Sequence, residues 1–387
     1  MRVALVAGSE AGHALPALAL ATALVAAGAH PTVFTGGRWV ATGRERGIDT
    51  RELPGLAPRP GDDDADAGLK IHARAAHIAA RLVPLITELA PDLVVADILT
   101  PGGGMAAELV GAPWIELSPH PLYRPSRGLP PIGSGLAPGV NLRGRLRDGI
   151  LRAFTARDIR VGARQRERAR SVVGLPPREP GPDARMIATI PALEVPRPDW
   201  PRRCHLVGPL TLEPTDAEIA VPRGDGPLVM VAPSTAATGT AGLAELAAEA
   251  LAPGVFGQRV RVAVSSLTPP SLEGDWLTSG FGRQDHLVAR ADAVVCGGGH
   301  GMLTKALTAG RPVVTVPGGG DQWELANRVV RQGSGVCVRP ATAESLRAAV
   351  REVLTDPAHR RAAEKAAATA GRVADPVAVC RTVVRGT

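Results

Sequence analysis

Short, wholly apolar runs that alternate with amphipathic stretches constrain this chain more than any other feature. RVALVA precedes an amphipathic stretch over 15–27, PTVFTG one over 38–46 and PDLVVAD one over 101–110, after which APWIELS follows. A short apolar run bounded by turn residues reads as a strand buried on both faces. Strands of that kind separated by helices predict a parallel sheet with helices on both sides. A helical stretch from Arg143 to about Val173 ends at GLPPREPGPD, and MIATI reads as the last strand of this half. The rhythm then breaks over 191–227, where EVPRPDWP, VGPL and VPRGDGP have the composition of an interdomain linker. It restarts with GPLVMVAP, a helix over 241–251, RVRVAVS, AVVCGG, a helix from Gly301, PVVTVP, a helix from Asp321, GSGVCV and two terminal helices. Two similar α/β halves with a cleft between them are expected: residues 1–208, a linker over 209–226, and residues 227–387. The final helix is a candidate to pack back on the first half.

Composition removes several classes of function. With 45% hydrophobic residues and a net charge of +7 over 387 residues, the chain has the apolar share of a folded protein. Only Lys70, Lys305 and Lys365 are lysines, so 41 of the 44 basic residues are arginine, which together with 45 Gly and 36 Pro reflects codon bias. Aromatics make up 3% and the arginines are spread along the chain, which argues against nucleic acid. The densest cluster, Arg157 to Arg170, reads as the solvated face of a helix. Cys204, Cys296, Cys337 and Cys380 are far apart and have no metal-ligand spacing, as expected of a reduced, cytoplasmic protein. No signal-peptide succession opens the sequence and no apolar run reaches membrane-spanning length.

The chemistry concentrates in VVCGGGHGMLTKALTAGRPVVTVPGGGDQWELANRVVRQGSG. A strand ending at Cys296 delivers three glycines to a helix start, where free N–H groups and the positive end of the helix dipole suit a phosphate. PGGGDQ places an acid and an amide at the start of the next helix, at the same edge of the sheet. A dinucleotide fingerprint fits poorly because Met302 stands where its third glycine belongs, and no Walker lysine follows. Two loops also break the N-terminal rhythm, GLAPRPGDDDADAG and the Pro/Gly-rich run from Tyr123 to Gly139, and loops of such length are usually functional or disordered.

This combination resembles the nucleotide-sugar-dependent glycosyltransferases of family 1, of the bacterial natural-product and macrolide type. GHALPALALATALVAAGAHPTVFTG is similar to the family's G-H-x-x-P opening, PALEVPRPDWPRRCHLVGPL to its last N-domain strand and linker, and the glycine segment to its donor motif. The resemblance implies the GT-B fold, two Rossmann-like α/β domains facing across a cleft. It also implies an inverting, metal-independent transfer of a hexose or deoxyhexose from a dTDP- or UDP-sugar to a hydrophobic acceptor, with no cofactor, in a monomer or homodimer. DDDAD at 62–66 reads as a solvated run rather than a metal site.

Residue by residue, His13 is the candidate base, since imidazole titrates near neutrality, and Asp97 at the end of PDLVVAD is its partner. The alternative for Asp97 is a helix cap before Pro101. In the donor half the resemblance assigns Ser234, with Thr235 as alternative, and backbone at Gly298, Gly299, Gly301 and Met302 to the diphosphate. Phe281 and Gln284 fall to the base, and Asp321 and Gln322 to sugar hydroxyls. Three positions depart from the family pattern: Gly297 stands for a histidine, Met302 for Ser or Thr, and Lys305 for a ribose-binding Glu. His300 is then the candidate replacement donor to diphosphate, and Lys305, which cannot accept a hydrogen bond, favours dTDP over UDP. His72 and His77 are five apart, which argues against a metal pair, and for both of them and for His120 the functional reading is lining of the acceptor pocket rather than catalysis. Competing expectations are a nucleotide-sugar 2-epimerase on the same fold and a non-catalytic glycosyltransferase-like partner protein.

Overall fold

Two all-parallel sheets carry the molecule. The computed structural model describes residues 1–57, 67–235, 239–256, 259–272 and 274–386. The acidic run at 62–66 lies outside them.

In the first domain the strands are β1 (Arg2–Val6), β2 (His30–Thr35), β3 (Asp49–Glu52), β4 (Leu93–Asp97), β5 (Trp114–Ser118), β6 (Ala184–Ile187) and β7 (Cys204–Leu206). The helices between them are α1 (Ala11–Ala26), α2 (Val40–Glu45), α3 (Ala67–Leu89), α4 (Gly102–Val110) and α5 (Leu142–Val172). The sheet order is β3-β2-β1-β4-β5-β6-β7. Successive residues of β1 serve opposite cores: Val3 and Leu5 pack with α1, Ala4 and Val6 with α3 and α4. That is why the strands read as unbroken apolar runs.

The second domain holds β8 (Leu228–Ala232), α6 (Leu243–Leu251), β9 (Arg261–Ser265), β10 (Leu277–Gly280), α7 (Gln284–Arg290), β11 (Ala293–Cys296), α8 (His300–Thr308), β12 (Val313–Thr315), α9 (Gln322–Gln332) and β13 (Gly335–Cys337). Helices α10 (Ala343–Thr355), α11 (Pro357–Ala367) and α12 (Pro376–Gly386) close the chain. Its order is β10-β9-β8-β11-β12-β13. Val229 and Val231 face one core and Leu228 and Met230 the other. Both sheets reverse direction of strand order once, between β1 and β4 and between β8 and β11. In open parallel sheets that reversal opens a crevice at the carboxyl ends of the two strands, where ligands bind.

Several elements differ from the sequence reading. MIATI is not the last strand of its half, because Cys204–Leu206 pairs with β6 from within the Pro-rich passage. Helix α1 begins at Ala11, four residues before the amphipathic pattern, because its first turn faces the cleft and carries no core residue apart from Ala11 and Ala14. The stretch 38–46 starts as a single 3-10 turn, Gly37–Trp39, before α2. Helix α12 leaves the second domain and packs on the first, with Val377, Val379 and Cys380 in the core beside α1 and Arg381 donating to the Ala27 carbonyl at 3.0 Å.

The domains are tied by a buried ionic cluster. Arg328 on α9 bonds Glu324 at 3.1 Å and the Leu193 carbonyl at 2.8 Å, and Glu324 accepts from the Gly135 amide at 3.0 Å. Glu194 lies 3.6 Å from Arg197 and 4.0 Å from Arg328. Burial pushes the Glu194 pKa up, against the pull of backbone amides and the two guanidinium groups.

Candidate active site

At the first reversal, His13 sits in the opening turn of α1 just beyond β1, and Asp97 is the last residue of the adjacent β4. Neighbouring parallel strands bring the side chains together, His13 Nδ1 lying 2.7 Å from Asp97 Oδ2. Asp97 is 1% exposed and uses its other oxygen, Oδ1, to accept from the Leu99 amide at 2.9 Å. Asp97 thus serves His13 and the turn after β4 with separate oxygens, and it does not cap α4, whose cap position is Pro101 with no side-chain capping bond. Burial pulls the His13 pKa down, but the charge and hydrogen bond of Asp97, with smaller help from Asp321 and Glu10, more than offset it and raise the pKa above 6.5. A carboxylate on Nδ1–H leaves Nε2 as the basic nitrogen.

At the second reversal, β11 runs into Gly297, Gly298 and Gly299, and Gly299 caps α8. Gly298 has φ of +80°, and a side chain there would also meet the Gln322 carbonyl at 3.2 Å, so the turn requires glycine. The first intrahelical bond is donated by Leu303 to the Gly299 carbonyl, which leaves the Gly301 and Met302 amides directed out of the helix start. Met302 packs its side chain on the second-domain core. Ser234, just beyond β8, accepts from Gln322 Nε2 at 3.1 Å, and Gln322 Oε1 accepts from the Gly318 amide at 2.9 Å. Gln322 is 3% exposed, so it braces the loop as well as edging the site.

Asp321 stands at the cap position of α9 without making a capping bond. Its Oδ2 instead accepts from the Tyr123 hydroxyl at 2.9 Å, across the domain boundary. The Tyr123 ring stacks on His120 with centroids 4.4 Å apart. Burial, reinforced by the Asp321 charge, raises the Tyr123 pKa well above 10, so the phenol stays protonated and donates. Burial lowers the His120 pKa, and its Nδ1 lies 2.8 Å from the Pro121 carbonyl. His13, Asp97, His120, Tyr123 and Asp321 therefore form one cluster spanning the cleft.

Two expected donor residues sit differently from the simple reading. His300 turns its imidazole to the first domain, Nε2 lying 2.8 Å from Thr189 Oγ1, and burial pushes its pKa down to about 3. Gln284 opens α7 with its amide nitrogen on Ser265 Oγ at 3.1 Å and its oxygen accepting from Lys305 Nζ at 2.9 Å. Phe281, by contrast, is 41% exposed and open to a planar ligand. Lys305 also pairs with Glu213 at 2.6 Å, and Glu213 accepts the Gln284 backbone amide at 2.9 Å. His72 lies between α3 and α5 on the outer helix layer, beside Arg166, and Gly55 packs against His77; neither joins the cluster around His13. Sequence reasoning gave no role to Tyr123 or Glu213, and it read His120 only as a lining residue of the acceptor pocket. The available signal was that Tyr123 is the one tyrosine of the chain and opens a loop that breaks the strand-helix rhythm.

The second domain matches the family described as Erythromycin biosynthesis protein CIII-like, C-terminal domain, over residues 278–385. The 4'-demethylrebeccamycin synthase of Lentzea aerocolonigenes is 31% identical over 301 residues, spanning 72% of this chain and 70% of that protein. Among solved structures, the glycotransferase of kitacinnamycin superposes with a TM-score of 0.75 at 20% identity, covering 99% of this chain and 97% of the other. The Streptomyces sp. SF2575 glycosyltransferase SsfS6, solved with thymidine diphosphate, gives a TM-score of 0.69 at 20% identity over 100% and 99% of the two chains.

Proposed function

The chain belongs to the GT-B glycosyltransferases of the bacterial natural-product type, and from that membership we propose that it moves a hexose or deoxyhexose from a dTDP- or UDP-sugar to a hydroxyl of a hydrophobic acceptor, with inversion at the anomeric carbon. One observation carries the reading: the buried His13–Asp97 pair at 2.7 Å at one sheet reversal, in a cluster shared with Asp321 of the opposite domain. Nε2 of His13 takes the acceptor proton as the acceptor oxygen bonds to the anomeric carbon. The bond from that carbon to the diphosphate breaks on the opposite face, and Asp97 stabilises the imidazolium that forms.

The diphosphate sits at the start of α8, where the Gly301 and Met302 amides and the helix dipole meet its charge without a metal ion. Asp321 and Gln322 hold sugar hydroxyls. Both oxygens of Glu213 already accept, from Lys305 and from the Gln284 amide, which leaves that carboxylate poorly disposed to clamp two ribose hydroxyls. This favours dTDP, and the thymidine diphosphate bound by SsfS6 is consistent with it. Acceptor class follows from the apolar and small residues of the 123–142 loop, which suit a polyketide, a macrolide or a lipid. A nucleotide-sugar donor makes the cytoplasm the site of reaction.

Incubation with paired arrays of nucleotide sugars and hydrophobic acceptors, read by mass spectrometry and by the anomeric coupling constant of the product, tests the reading. A glycoside of inverted configuration is expected. Free sugar epimerised at C2 with no acceptor adduct would identify the epimerase instead, and retention would remove the single-displacement mechanism.

A further inference from the structure

Helix α5 carries a surface that glycosyl transfer does not use. Leu142, Leu146, Ile150 and Phe154 recur every four residues, so they share one face, and they are 84, 66, 49 and 76% exposed; Val140, just before the helix, is 84% exposed. Further along the same face stand Arg157, Arg160, Arg164 and Arg168, all exposed. Asp148, Ala169 and Arg170 are buried on the opposite side. Ten arginines against three acidic residues give this helix a surplus as large as the net charge of +7 of the whole chain. Among the described residues, Arg157, Arg164 and Arg168 have no carboxylate at ion-pair distance. At 31 residues the helix extends about 46 Å.

We infer that this face docks on an anionic lipid surface. A row of protruding aliphatic and aromatic side chains continued by a row of unpaired guanidinium groups matches the two layers of a bilayer interface: acyl chains for the first, phosphate headgroups for the second. A two-fold pairing of the face with itself would set one surplus of arginine against another, which disfavours a second copy. Nucleic acid would leave the apolar half unsatisfied, Phe154 being the helix's one aromatic. Among the described residues no helix is long and apolar enough to cross a membrane, so attachment is to the surface. The apolar half lies over the loop that carries Tyr123: Arg147 donates to the Ala137 carbonyl at 2.7 Å, Arg152 to the Leu129 carbonyl at 2.6 Å, and Asp148 accepts from the Gly139 amide at 2.8 Å. Docking would bring a lipid-dissolved acceptor to that side of the cleft, a consequence that rests on the proposed hydrophobic acceptor.

Flotation of the full chain with vesicles of phosphatidylcholine alone, or mixed with phosphatidylglycerol, reads the docking without reference to turnover. Binding is expected to the phosphatidylglycerol vesicles, to weaken steeply with added salt, and to fall tenfold or more in Leu146→Ser/Phe154→Ser and in Arg160→Ala/Arg164→Ala, with melting temperature unchanged. Absence of binding to anionic vesicles, or binding by either variant as tight as that of the wild type, would overturn it. So would a wild-type dimer that the variants convert to monomer, which would make the face a contact between copies. Vesicle binding without any detectable transfer would leave the docking standing and remove only the proposed reaction.

Discussion

Asp97 divides its carboxylate between a turn and a base, and the division makes its contribution separable. In Asp97→Asn the amide oxygen can still accept from Leu99, but the charge beside His13 is gone. Burial is then opposed only by the smaller pull of Asp321 and Glu10, and the imidazole pKa falls. The acid limb of the kcat/KM profile should therefore move to lower pH than in the wild type, where Asp97 raises the His13 pKa, and the plateau should drop because the imidazolium has lost its counter-charge. An unchanged profile would reduce Asp97 to the Leu99 cap. Tyr123 acts on the other side of the cleft: its hydroxyl occupies Asp321 Oδ2 and so leaves fewer acceptor positions for sugar hydroxyls. Tyr123→Phe should raise the kcat/KM ratio of a fully hydroxylated donor over its deoxy counterpart by about tenfold, the equivalent of about 1.4 kcal/mol. An unaltered ratio would place the sugar elsewhere.

In the proposed mechanism the donor is held by the turn from β11 into α8, through backbone amides. His300 is uncharged over the working pH range, its pKa lying near 3, and it faces Thr189 rather than the helix start. His300→Ala should therefore keep nucleotide diphosphate affinity within about tenfold by calorimetry, since the N–H groups remain. A hundredfold loss would put the imidazole on the phosphate. Elements were the legible level of this sequence. Strands buried on both faces leave unbroken apolar runs, and Gly298, which no other residue can replace without strain, is visible as part of a glycine run. Strand β7 escaped the pattern reading because three residues inside a Pro-rich passage carry no period, and only the resemblance put a last strand in that passage. The apolar row of α5 escaped because Arg143, Arg145, Arg147 and Arg152 interrupt it, which hides a four-residue repeat behind a polar average.

At the scale of the molecule the two domains divide the work, and the division could be read only where motifs mark it. His13, Asp97 and the glycine turn were visible because each ends or follows a strand beside a reversal of strand order. The contacts that assemble them across the cleft were not visible, since Tyr123 and Asp321 are 198 positions apart and Thr189 and His300 are 111 apart, and no sequence period spans such separations. In the proposed mechanism the first domain supplies the base and the second holds the donor. The most direct measurement is His13→Ala, with dTDP affinity by calorimetry and single-turnover transfer by mass spectrometry on the same preparation. Unchanged dTDP affinity is expected, with transfer slowed by about a hundredfold to ten-thousandfold; transfer at the wild-type rate, or parallel loss of dTDP binding and transfer, would overturn this division of roles.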